Sequence, residues 1–341
     1  MNSKHHSPAS FRRVPFPPIQ WAALFVLLLP LAVLAQTAAR NSGDDGKPTF
    51  VISNIAPGAD LKIVAYGDMR FTNPRNEVDT SPRVRKWLAE KVGAEKPDLL
   101  FLSGDMPFWG SNSDDWDVYR EETKSWPENH VRVYPTLGNH ELTGDVHQAL
   151  RNYFSAYPQI EGHRYYSVLA GSVELIALDS LQKIDPESPQ FAWLDAQLAH
   201  IPPQVDFVFF LLHMPLMADV QSQVVANLPA PEMWELRTYL EQKAALSRAR
   251  FLVVNGHIHN YERFQHGGVT YLVSGGGGAK PYPVMVRGPQ DLYQDTAFPN
   301  FHYILLTLRG KRMEATMYRV ADPKAETFKL EDKDHFELVA R

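Results

Sequence analysis

The chain has no cysteine among its 341 residues. That excludes disulfide staples, thiolate metal ligands and a thiol nucleophile together. It has no basic surplus either: 34 Lys and Arg stand against 39 Asp and Glu, a formal charge of -5. Nucleic-acid binders carry a basic footprint, and none is legible here. No internal repeat and no long low-complexity linker divides the chain, so its length and 44% hydrophobic content suit one large domain. A nucleotide-type phosphate loop is missing as well. Gly275 to Gly278 are not followed by the Lys-Ser or Lys-Thr pair that such a loop needs, and they read as a tight turn below a pocket.

What is present begins with an apolar run, Trp21 to Ala35, preceded by Lys4, Arg12 and Arg13. A basic region, an apolar stretch and small residues near Ala35 or Ala39 describe an export signal over residues 1–35. The rival reading is an uncleaved membrane anchor, because Val14 to Ala39 carries no charge, although Pro15, Pro17, Pro18 and Pro30 suit a spanning helix poorly. Both readings place the rest of the chain outside the cytoplasm, in a periplasm or the extracellular space. Cleavage would leave no stable membrane association. It would also move the charge from -5 to -8, since 34 basic residues become 31 against an unchanged 39 acidic ones. Residues 36–49 read as a flexible leader, 50–321 as the folded domain and 322–341 as a C-terminal extension.

Five hydrophobic runs end alike. LKIVAYGD reaches Asp68, DLLFLSGD reaches Asp105, VRVYPTLGNHE reaches Asn139 and His140, VDFVFFLLH reaches His213, and RFLVVNGHIH reaches His257 and His259. Short runs rich in Val, Leu, Ile and Phe predict buried strands. Helical periods lie between them. Ser81-Pro82 opens one helix with Val84, Trp87, Leu88 and Val92 on a face and Gly93 as a stop; others are expected over 145–157, from Ser188 to Leu198, and over 231–249. Residues 163–170 and 172–178 predict a hairpin around Gly171. GVTYLVS, FHYILLTLR and RMEATMYRV predict antiparallel strands forming a second sheet layer in the carboxyl half. The pattern is that of a layered α/β sandwich. Polar residues beyond the carboxyl ends of such strands sit where these sheets bind ligands.

Asp and His suit borderline or hard divalent metals, and an Asn carbonyl adds a ligand without charge. His257 and His259 are one residue apart, so a regular strand would place them on one side and a turn could aim them at neighbouring sites. Each residue alone also reads as a turn cap or a core histidine. The set at repeated strand ends points to metal. Trp109, Trp116 and Trp126 read either as a wall of the pocket or as core, and Ser103 as structural.

The ordered elements Gly-Asp at Asp68, Gly-Asp at Asp105, Gly-Asn-His-Glu at 138–141, His213 before Met-Pro, and GHIHNYER at 256–263 resemble the signature of the calcineurin-like metallophosphoesterases. The last element resembles the purple acid phosphatase branch. The resemblance runs over about residues 60–278. It implies a two-layer β sandwich flanked by helices, the four-layer α-β-β-α arrangement, and two divalent or mixed-valence metal ions, with Mn, Fe and Zn foremost. By the family pattern Asp105 would bridge the metals, Asp68 and His259 would bind the first, and Asn139, His213 and His257 the second. The implied reaction is in-line attack of metal-activated hydroxide on a small phosphomonoester or phosphodiester. His140 would face the phosphate as its contact or as general acid. Glu141 would orient it or the loop, or else face solvent. Two alternatives stay open: a phosphodiesterase with one firmly bound metal, and a catalytically weak metal-binding or surface-interaction protein on the same scaffold.

Two positions depart from the family. Arg70 stands where many relatives have His and the purple acid phosphatases commonly have Gly; an arginine is a poor metal ligand and instead suits a phosphate contact or a space beside the first metal, the bland alternative being a side chain that merely faces outward. Phe108 stands at the position of the tyrosinate ligand. A phenyl ring cannot ligate iron, so no purple chromophore is expected.

Overall fold

In a computed structural model the described residues are 46–219, 231–284 and 286–341. The expected export signal or anchor lies outside them. Among the described residues no helix is long and apolar enough to cross a membrane.

Among the described residues thirteen strands form two sheets. The strands are β1 (Phe50–Val51), β2 (Leu61–Tyr66), β3 (Leu99–Leu102), β4 (Arg132–Pro135), β5 (Tyr166–Ala170), β6 (Val173–Ala177), β7 (Phe207–Leu211), β8 (Arg250–Asn255), β9 (Tyr261–His266), β10 (Val269–Ser274), β11 (His302–Arg309), β12 (Arg312–Val320) and β13 (Leu330–Val339). The first sheet runs β1-β5-β6-β7-β8-β10-β9 and the second β13-β12-β11-β2-β3-β4. The helices are α1 (Pro82–Glu95), α2 (Ser113–Glu122), α3 (Ser125–Glu128), α4 (Val146–Ala156), α5 (Pro189–Ala199) and α6 (Pro231–Leu246).

Side-chain alternation explains the layering. In β7, Phe207, Phe209 and Leu211 enter the core between the sheets, while Val208 and Phe210 join the core under Leu194 of α5 and Leu236 and Leu240 of α6. In β8, Leu252 and Val254 take the first role and Phe251 and Val253 the second. Phe101 of β3 meets Phe209 of β7 edge-on across the sandwich at 5.3 Å. On the far side of the second sheet, α1 contributes Val84 and Leu88, and Tyr66 of β2 packs on Trp126 of α3. The four-layer α-β-β-α arrangement follows.

Several sequence expectations need correction. The helix expected to stop at Gly93 runs through it to Glu95 and closes on Lys96 in the left-handed region (φ 51). Gly93 is there because the helix presses on α3: a Cβ would lie 2.2 Å from Ser125 Oγ. Ser81 makes no side-chain cap bond, whereas Ser188 and Asp145 do cap α5 and α4. GVTYLVS, as β10, does not join FHYILLTLR and RMEATMYRV. It lies in the first sheet, parallel to β8 and antiparallel to β9. The second sheet therefore combines strands from both ends of the chain: β11 pairs with β2 of the amino-terminal half.

Residues 322–341 are likewise not an extension beyond the domain. They carry β13, which pairs with β12 along its length, and Phe328, which packs edge-on against Trp87 at 5.4 Å. At the other end, Thr49, the last residue of the expected leader, is tied to Ser167 by reciprocal bonds, while residues 36–45 lie outside the described residues.

Candidate metal centre

The loops after β2, β3, β4, β7 and β8 open at one edge of the sandwich and bring together all six sequence-predicted ligands. Asp68, Asp105, His213 and His259 are buried. Among the described residues Asp68, Asp105 and His213 offer ligand atoms within 4.8 Å of one another. The strands end before the ligands, so His257 (φ 70) and His259 project from a turn. This settles the alternative left by their spacing.

The backbone at the site is held in an uncommon conformation. Six non-glycine residues in the described chain have positive φ, and Asp68, Arg70, Asp105 and His257 are four of them. Such conformations cost on the order of 1–3 kcal/mol each and persist where the surroundings over-determine them. Here they do. Asp68 N–H donates to Gly104 O at 3.0 Å and Arg70 N–H to Asp105 O at 2.9 Å. His257 N–H donates to the Asp68 carboxylate at 3.0 and 3.1 Å. Glu141 accepts three backbone N–H groups, from Asp105 at 2.8 Å, Met106 at 2.6 Å and Gly138 at 2.6 Å. It is fully buried, so it fixes the loops and does not face solvent. Burial and the neighbouring Asp105 push its carboxyl up, against the pull of the three amides. Gly138 is needed for this approach, since a Cβ there would lie 2.3 Å from Asp105 Oδ1.

The histidine tautomers follow from their carbonyl partners, because a carbonyl only accepts. His213 Nδ1–H donates to Ser103 O at 2.8 Å, which leaves Nε2 as a bare acceptor. That Nε2 lies 3.1 Å from Asn139 Oδ1, 3.2 Å from His257 Nδ1 and 3.4 Å from Asp105 Oδ1. His257 Nδ1 lies 3.2 Å from Asn139 Oδ1. Donors held at about 2.0–2.1 Å around a four-coordinate cation stand roughly 3.3–3.4 Å apart. Four of the six separations within this quartet are thus close to that spacing, and its donor set suits a divalent cation in chemistry.

The other side is less complete. His259 Nδ1–H donates to Lys280 O at 2.6 Å, and its Nε2, buried without a hydrogen-bond partner, lies 3.5 Å from Asp68 Oδ1. Arg70 Nη2 holds Asp105 Oδ2 at 3.2 Å. His140 sits above: its N–H donates to Asp105 Oδ1 at 2.9 Å, its Nδ1–H donates to Phe108 O at 2.6 Å, and its Nε2 is 3.9 Å from Asp105 Oδ2. Phe108 thus contributes its carbonyl to the site, with its ring tilted beside His140 at 5.5 Å.

Electrostatics divide the carboxylates. Burial pushes Asp68 up to about 7, with Asp105 adding to it against His213 and Arg70. Burial acts on Asp105 in the same direction, but His213, His140 and Arg70 outweigh it and hold that carboxyl well below the usual range. His257 and His259 are both pulled down to about 3 by burial first, then by His213 and Arg70 respectively. Neutral imidazoles and an ionised Asp105 are the protonation states that metal ligation requires.

Sequence reasoning missed the groups that hold the ligands. Asn255, fully buried, donates to Leu212 O and Met214 O at 2.9 Å and so frames His213. Tyr282 stacks on His259 at 4.5 Å. Arg85 binds Glu122 at 2.8 and 2.7 Å and the carbonyls of Arg70 and Thr72 at 3.0 and 3.1 Å. The tryptophans separate: Trp116 and Trp126 are core, and Trp109, 48% exposed, borders Gly144 at the rim. Gly277 N–H donates to Gly67 O at 2.9 Å, so the glycine run is a close-packed turn beneath Asp68.

Comparison with known proteins gives a consistent picture. Residues 61–275 match the family model described as Calcineurin-like phosphoesterase. Purple acid phosphatase 22 of Arabidopsis thaliana is 25% identical over 252 residues, covering 68% of this chain and 56% of the relative. The chain thus spans little more than half the length of that relative. Among solved structures, the purple acid phosphatase PPD1 from yellow lupin seeds superposes with a TM-score of 0.64 at 18% identity, over 83% of this chain and 55% of that one. GAP50, described as the anchor in the inner membrane complex of Plasmodium, superposes at 0.57 with 14% identity, over 83% and 89%. These two likenesses show the fold alone.

Proposed function

We propose, for a chain that belongs to the calcineurin-like phosphoesterase family, that it is a metal-dependent hydrolase of small phosphomonoesters or phosphodiesters. The observation that carries this reading is the convergence around His213 Nε2 of Asn139 Oδ1 at 3.1 Å, His257 Nδ1 at 3.2 Å and Asp105 Oδ1 at 3.4 Å. These four would hold a divalent cation, and Asp68 and His259 flank it. A bound cation supplies Lewis acidity and a water acidic enough to attack phosphorus near neutral pH.

The chain's own groups do the rest. Asp105 is kept ionised and joins both halves of the site. His140 presents Nε2 with its ring fixed through Phe108 O; when protonated it donates to the leaving oxygen, and otherwise it accepts a hydrogen bond. Trp109 at the rim would meet the leaving group. No serine or cysteine nucleophile is required. The residues before Phe50 suit export, through the signal or anchor reading of the apolar run, and a substrate met outside the cytoplasm.

The test is hydrolysis of a nitrophenyl monoester and the corresponding diester by cation-free protein, before and after restoring Mn, Fe, Zn, Co, Mg or Ca singly. Turnover is expected only with restored transition metal, and loss of at least 100-fold in Asp105→Asn. With Phe108 in place, iron-loaded protein should show no tyrosinate-to-iron absorption. A folded, cation-loaded protein inert to both ester classes would favour a binding role on the same scaffold.

A further inference from the structure

Asp105 is the residue that two cations would have to share, and its two oxygens face different partners. Oδ1 points to His213 Nε2 at 3.4 Å and accepts the His140 N–H at 2.9 Å. Oδ2 is held by the Arg70 guanidinium at 3.2 Å. That guanidinium is not a surface group resting on the site. Its side chain is 13% exposed, and its backbone is fixed from both sides. The Arg70 N–H donates to Asp105 O at 2.9 Å, and its carbonyl accepts from Arg85 Nη1 at 3.0 Å. Arg85 is itself fully buried and clamped on Glu122 through two bonds. With Oδ2 held by the guanidinium, a cation beside Asp68 would find His259 Nε2, 3.5 Å from Asp68 Oδ1, and otherwise Asp105 and His213, which offer atoms within 4.8 Å but already serve the quartet.

We propose that Arg70 takes the place of one of two cations: the centre binds a single divalent ion, on Asn139, His213, His257 and Asp105 Oδ1, and the guanidinium supplies the second positive charge. A guanidinium is always charged and has no lone pair, so it cannot be a ligand and it repels a neighbouring dication. Its planar donors suit phosphoryl oxygens. It thus keeps the charge that a developing phosphoryl transition state needs while removing a metal from the stoichiometry. The assignment rests on reading the quartet as a cation site and goes beyond it in fixing the count and in giving Arg70 its role.

The test is Mn2+ titration of cation-free protein, following bound metal by elemental analysis and the environment of the ion by electron paramagnetic resonance. The wild-type chain should bind one equivalent tightly, with a second at least 100-fold weaker, and show the spectrum of an isolated ion. Arg70→His should gain a second tight equivalent and the signature of a spin-coupled pair. Arg70→Ala, which removes the charge without adding a ligand, should tighten the second equivalent by about tenfold and guards against a histidine variant that fails to fold. Two comparable equivalents in the wild-type chain, or one in both variants, would overturn the assignment and leave the hydrolase reading standing. No tight equivalent in any form would overturn both.

Discussion

Glu174 shows what a single buried carboxyl does when the structure gives it no charge partner. It lies in β6, 1% exposed, with Oε2 unpartnered, and burial alone pushes it from 4.5 up to about 7. Between those values the folded chain holds a proton that the unfolded chain releases. Stability therefore falls as pH rises through about 4.5 to 7 and is level above that window. Glu174→Gln removes the titration. It should raise the melting temperature at pH 8, by an effect on the order of 3 kcal/mol, and leave it nearly unchanged at pH 4. An equal gain at both pH values would show that the side chain acts through packing.

At the same scale, the ligands themselves were readable in the sequence because they lie at the ends of apolar runs, Asp68, Asp105, Asn139 and His257 directly after a glycine. Their supports were not. Asn255, Arg85 and the Lys280 carbonyl carry no local pattern, since their partners lie far along the chain: Asn255 reaches Met214 O, and Arg85 reaches Glu122. Arg70 was legible as a departure, but only the fold shows which oxygen of Asp105 it holds.

Among the elements, the strands leading to the site were legible and the sheet membership of the others was not. β9 was missed because its sequence, Tyr-Glu-Arg-Phe-Gln-His, looks polar. Glu262 is nonetheless fully buried and accepts from Asp219 N–H at 2.7 Å, and Arg263 binds Asp334 of β13 at 2.6 and 3.0 Å. The composition of residues 322–341 is likewise charged, so nothing local marks β13 as a strand that closes a sheet. Its role makes a prediction about the element. A chain ending at Ala321 would expose the paired edge of β12, uncover Trp87 and Met313, and lose the Arg263–Asp334 pair. It should melt several degrees lower and aggregate through the open edge, as light scattering during thermal unfolding would detect. Unchanged melting and no aggregation would mean that β13 merely lies on a sheet that is complete without it.

For the whole molecule, the sandwich turns scattered short motifs into one centre. Two sheets, the second drawn from both ends of the chain, bring the loops after β2, β3, β4, β7 and β8 to one edge, and the site loops meet there in strained conformations that Glu141, Asn255 and Arg85 hold in place. The most direct measurement is anomalous scattering from crystals grown with Mn2+. One strong peak is expected within about 2.3 Å of Asn139 Oδ1, His213 Nε2, His257 Nδ1 and Asp105 Oδ1. The absence of density among those four atoms at saturating Mn2+, or a peak bound elsewhere on the chain, would contradict it.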